Sequence, residues 1–251
     1  MSSRKEPMPQ RFSSPFEVSQ RRILAYGDSL TAGYHRGGRR FFPYGKVLVE
    51  CLEPDVAADI WVCGLSGLTA TEMVSGMDEQ ELSDVCRRNG KGIRCILRED
   101  GPFDLVLLMA GTNDLAKGHS CQVITDKIWQ LHVACHAESV CTVMLSVPTN
   151  RFAESSEEMR YARQWKLVNS SLRRMARASE HVLRFIDTSR LLPFEDYHHW
   201  ESDGLHFSPE GSSDFGRRLA PFVASVLAGE ANPPETASDD SEERSAIAVS
   251  E

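Results

Sequence analysis

The sequence predicts a doubly wound α/β fold, a five-stranded parallel sheet with helices on both faces. Three observations carry that expectation. Short apolar runs alternate with helix-length segments five times along the 251 residues, the order of βαβ units rather than of hairpins. The stretch "DLVLLMA" at 104–110 is apolar almost throughout, as a strand covered on both faces must be. No run of about 18 apolar residues occurs, so nothing in the chain reads as a bilayer span.

Each element follows from its local pattern. Residues 23–27 form the first strand, and residues 41–51 read as a helix after a Gly/Arg loop. "ADIWVC" at 58–63 is the second strand, and residues 69–100 hold one or two helices interrupted near "NGKG". The run 104–110 is the central strand, followed by a helix over 120–139. Residues 141–147 give a fourth strand that stops at Pro148, which has no N–H for a ladder. A long helix covers 157–179, a fifth strand 182–186, and a closing helix 208–228. Ser208 followed by Pro209 and Glu210 is a strong helix start, a hydroxyl cap ahead of a proline that needs no donor.

Charge and composition divide the chain into three parts. Residues 230–251 carry seven carboxylates against Arg244, a net of −6, which leaves −2 of the total −8 for residues 1–229. That acidic segment is rich in Pro, Ser and Ala and is expected to be disordered. Residues 1–21 are polar, lack the apolar core of a secretion signal, and read as a flexible lead-in. The folded domain is therefore expected to span 22–229, close to neutral and without a basic stripe, which argues against a nucleic-acid partner. The seven cysteines have no CxxC pair or regular spacing and sit mostly among apolar residues. Free buried thiols in a reducing, cytoplasmic setting are the expectation.

In an open parallel sheet, ligands bind beyond the carboxyl ends of the strands. Ser29 follows the first strand, Ser66 and Gly67 the second, and Asn113 the third, so all should share one rim. A serine needs a base within reach and a group to orient that base. Asp203 and His206, three apart in "WESDGLHFSPEG", supply both. Acyl transfer also develops negative charge on oxygen. The Gly67 N–H, the Asn113 amide and the Ser29 N–H are donors of the right kind.

Four segments, "GDSL" at 27–30, "GLSGLT" at 64–69, "GTND" at 111–114 and "DGLH" at 203–206, together resemble the blocks of the GDSL, or SGNH, hydrolase family. The likeness runs from about Ile23 to Ala228 and is nearest the compact microbial esterase branch, the arylesterases and thioesterase I-like enzymes. It implies a flavodoxin-like α/β/α sandwich, Ser29 as nucleophile, Asp203 and His206 as the other triad members, and Ser29, Gly67 and Asn113 as oxyanion donors. It also implies a serine esterase acting on small or short-chain esters, possibly thioesters, with no cofactor or metal. Acyl transfer to another alcohol or a sugar is the close alternative, and a non-catalytic interaction protein on the same fold is the distant one. A small-molecule ester is the expected partner, with no membrane, and oligomeric state is left open. The segment 69–101 is longer than that branch needs.

Other polar residues have plainer readings. Asp28 and Asp114 are expected to bond loop amides. His132 and His136 lie four apart, but Val133 stands where a metalloprotease helix needs glutamate, so an exposed helical face is expected. His198 and His199 read as pocket lining. Phe41, Phe42 and Tyr44 read as core anchors. Arg36, Arg39 and Arg40 read as a solvated loop, with a basic lip for an anionic leaving group as the other possibility.

Overall fold

A computed structural model describes residues 8–15, 20–52, 56–155 and 158–230. Its centre is a six-stranded sheet of β1 (Gln10–Ser13), β2 (Arg21–Gly27), β3 (Ala58–Gly64), β4 (Leu105–Met109), β5 (Thr142–Leu145) and β6 (Val182–Ile186). The spatial order is β1-β3-β2-β4-β5-β6. β2 to β6 are mutually parallel and reproduce the flavodoxin-like order, whose reversal falls between β2 and β4.

The pleat sends alternate side chains to opposite cores. Ile23 and Ala25 of β2 join one cluster with Leu105 and Leu107 of β4. Leu24 and Tyr26 join the other with Val106 and Leu108. Helices α1 (Gly45–Leu52) and α5 (Pro209–Leu227) cover the first face. On the second lie α2 (Ile93–Glu99), α3 (Cys121–Ala137) and α4 (Met159–Arg177). Ser208 caps α5 by accepting from the Gly211 N–H at 3.0 Å, as its sequence predicts.

The register matters most for the site. Gly27 pairs with Gly64 on one side and with Met109 on the other, so β3, β2 and β4 end level. The loops carrying Gly67, Ser29 and Asn113 therefore emerge side by side. No helix of the described residues is long and apolar enough to cross a membrane.

Three expectations need correction. Residues 10–13 of the lead-in are not a loose segment: β1 pairs antiparallel with β3, and Arg11 meets the buried Asp59 at 2.5 Å. The polar "QRFS" has no strand signature of its own, and the open edge of β3 recruits it. The helix expected over 41–51 starts at Gly45, because Arg40–Phe41 pairs with Tyr34–His35 in a short hairpin. Between the helical turn Ala70–Ser75 and α2, a second hairpin pairs Leu82–Ser83 with Asn89–Gly90. The expected acidic segment from 231 onward lies outside the described residues.

Candidate active site

Asp28 follows β2 and caps the helical turn Ser29–Ala32, its Oδ1 accepting from the Leu30 N–H at 3.0 Å. Gly33, with φ +67°, stops the turn after one revolution. The serine is thereby held at a fixed corner, almost wholly buried. His206 arrives beside it from a distant part of the chain. A bridge between Trp200 and Phe207 closes the loop before α5, and the Glu201 N–H donates to the His206 carbonyl at 2.8 Å. At the tip of that loop, Asp203 Oδ1 accepts from the Leu205 and His206 N–H groups at 2.9 and 3.0 Å.

The three side chains form a continuous line. His206 Nδ1 lies 2.8 Å from Asp203 Oδ2, and His206 Nε2 lies 3.0 Å from Ser29 Oγ. A carboxylate on Nδ1 places the imidazole proton there and leaves Nε2 to accept from the serine hydroxyl. Partial burial alone would raise the Asp203 pKa, but hydrogen bonds from the His206 ring and two backbone N–H groups outweigh it and bring it to about 2. Asp203 is therefore ionised at any working pH. Asp28 goes the other way, since complete burial raises its pKa from 3.8 to about 6.

The neighbouring loops supply donors. Gly67 has φ +78°, a left-handed conformation that glycine adopts without strain. Among the described residues, neither the Gly67 nor the Ser29 backbone N–H has a hydrogen-bond acceptor. Asn113, in the turn Thr112–Ala116 after β4, donates one amide hydrogen to the Leu68 carbonyl at 2.9 Å. That bond ties the third block to the second, and the other hydrogen of Nδ2 has no acceptor among the described residues. Asp114 repeats the tie, accepting from the Ala70 N–H at 2.8 Å.

Residues 25–213 match the GDSL-like lipase/acylhydrolase family. The chain belongs to that family. It is a carboxylic ester hydrolase. A carbohydrate acetylesterase family member from Sinorhizobium meliloti is 23% identical, with a TM-score of 0.62 over 83% of this chain and 100% of that one. The psychrotrophic esterase EstA from Pseudoalteromonas sp. is 16% identical, TM-score 0.61, covering 83% and 100%. A Clostridium thermocellum family 3 carbohydrate esterase is 19% identical, TM-score 0.60, covering 84% and 100%. At these identities the likeness is one of fold. No curated protein matches the chain.

Within this hydrolase, several side chains differ from their sequence readings. The sequence gives Tyr34 no role, yet its ring stacks on His206 with centroids 4.2 Å apart; its place directly after the Ser29 turn is the only signal. Asp84 was also missed. It is buried, accepts from the Ser66 N–H at 3.3 Å and the Arg88 N–H at 2.8 Å, and so docks the second hairpin onto the Gly67 loop. His132 is fully buried rather than on an exposed face, with Nδ1 2.8 Å from Thr142 Oγ1; burial lowers its pKa to about 3. His199 is buried, with Nε2 3.0 Å from Asp214 Oδ2, while its neighbour His198 is exposed. Of the three aromatics expected in the core, only Tyr44 is there, edge-on to Phe215. Phe41 is half-buried, with the Arg88 guanidinium 3.8 Å above its ring. Among the described residues, no three His, Cys, Asp or Glu side chains are grouped to hold a metal ion.

Proposed function

We propose that this hydrolase is a serine esterase acting on small or short-chain carboxylic esters, thioesters among them, through an acyl-enzyme on Ser29. The Asp203–His206–Ser29 line, at 2.8 and 3.0 Å, is the observation that carries the reading. Ser29 Oγ attacks the carbonyl carbon while its proton passes to His206 Nε2, and Asp203 stabilises the imidazolium. The carbonyl oxygen becomes an alkoxide facing the Ser29 N–H, the Gly67 N–H and the free hydrogen of Asn113 Nδ2. His206 then gives its proton to the departing alcohol. Water, activated by the same imidazole, attacks the acyl-enzyme and restores Ser29. No step needs a metal or cofactor.

The experiment is covalent labelling with a fluorophosphonate, mass spectrometry of the Ser29 peptide, and a hydrolysis screen from acetyl to palmitoyl aryl esters, acyl-CoA and acetylated sugars. Labelling of Ser29, lost in Ser29→Ala along with at least a thousandfold of the turnover (roughly the effect of removing a triad member), is expected. A folded Ser29→Ala protein retaining turnover within about tenfold would refute the assignment.

A further inference from the structure

Several surface arginines are answered by carboxylates: Arg21 by Asp104, Arg98 by Glu138, Arg173 by Asp187. Those around the triad are not. Arg36, Arg39, Arg40, Arg87 and Arg151 are all exposed, and none forms an ion pair among the described residues. In the sequence they fall in three separate segments.

The fold gathers them. Arg36, Arg39 and Arg40 belong to the hairpin that begins at Tyr34, the ring stacked on His206. That hairpin abuts the second one, since a Cβ on Gly38 would lie 2.8 Å from Cys86 Sγ, and the Arg88 guanidinium covers Phe41. Arg87 is thus carried to the same edge, next to Cys86. Arg151 reaches the triad from the loop after β5. Its N–H donates to the Gly204 carbonyl at 2.9 Å, and its side chain packs on Gly204, inside the Asp203–His206 loop.

Four carboxylates stand nearby. Asp203 holds His206, and buried Asp84 takes the Ser66 and Arg88 N–H groups. Glu201 accepts the Arg36 N–H at 2.9 Å, and Glu210 lies near His35. They set four negative charges against the five arginines and Arg88. The balance at this rim is positive on a domain that is slightly negative as a whole. Such a local field concentrates anions at the site mouth.

The reaction geometry says which part of the ester meets it. His206 Nε2 must protonate the departing oxygen, so the alcohol portion lies on the side of His206 and Tyr34, where the two hairpins and Arg151 stand. From this we infer that the enzyme selects esters whose alcohol portion carries an anionic group, a carboxylate or a phosphate. The inference rests on the serine esterase reading above.

The test compares 4-acetoxybenzoate with its methyl ester, which share the acetyl group and differ in charge at the far end of the alcohol. Each kcat/KM is divided by the rate of hydroxide-catalysed hydrolysis, which removes the difference in leaving-group reactivity. A preference of about tenfold for the anionic ester at low salt is expected. It should fall toward unity at about 0.5 M NaCl, where exposed charges are screened within a few ångströms. The variant Arg36→Ala/Arg39→Ala/Arg40→Ala/Arg87→Ala should show no preference at low salt. A wild-type ratio near unity, or one indifferent to salt, overturns the inference whether or not the variant folds. Failure to hydrolyse either ester, with no fluorophosphonate label on Ser29, overturns the esterase reading instead.

Discussion

Replacing Asn113 with alanine removes two things that the structure lets us weigh separately. One is the hydrogen bond from Nδ2 to the Leu68 carbonyl, 2.9 Å long and partly buried. A bond of this kind contributes about 0.5–1.5 kcal/mol net. In a chain of this size each kcal/mol shifts the melting temperature by roughly 2–4 °C, so a fall of about 1–6 °C is expected. The other is the second amide hydrogen, which in the proposed mechanism meets substrate oxygen best once that oxygen is tetrahedral and negative. Losing one such donor lowers kcat by about 10²–10³, or roughly 3–4 kcal/mol of transition-state stabilisation. Because the interaction is weaker in the ground state, KM should move by no more than about threefold. Steady-state kinetics and a thermal melt on the same preparation give both numbers. A melt lowered as expected with kcat within about tenfold of wild type would show that Asn113 is only a tether between the two loops, and the oxyanion assignment would be wrong.

Asp28 gives a pH prediction. Its folded pKa is raised from 3.8 to about 6, so the folded state favours the protonated form. Its ionisation opposes folding increasingly as pH rises from about 4 to about 6, and fully above that, by up to about 3 kcal/mol. The stability of Asp28→Asn relative to wild type should therefore improve across that window in denaturant titrations; a pH-independent difference would contradict it. For Gly67→Ala, the left-handed φ adds about 1–2 kcal/mol of strain and the new methyl meets Val85. Its melt should fall by a few degrees and its kcat drop sharply, and Val85→Ala in the same protein should restore only part of the melt. Treatment with EDTA should leave turnover unchanged, and a loss reversed by zinc or manganese would place a metal in the reaction. Deleting residues 230–251 should leave melting temperature and kcat nearly as they are, because their composition offers little apolar surface to bury; a large loss of either would show that they pack on the domain.

The alternation of strands and helices and the four motif blocks were both determined by the sequence. Local chemistry sufficed for them: apolar runs mark strands buried on both faces, Ser208-Pro209 starts a helix, and the Asp203–His206 spacing lets one loop place a carboxylate on its own imidazole. What the sequence could not determine was decided by contacts between segments far apart in the chain. Residues 10–13 became a strand because β3 offered an open edge. Residues 34–41 and 82–90 became hairpins that touch each other, bringing Tyr34 onto His206 and Asp84 under the Gly67 loop. His132 and His199 show the same limit, since helical spacing or proximity to the triad in sequence says nothing of which face the sheet will bury. Periodicity reports how one element meets an apolar core in general. Which polar groups end up facing one another depends on loop closure over tens of residues, and only the packed tertiary structure supplies that information.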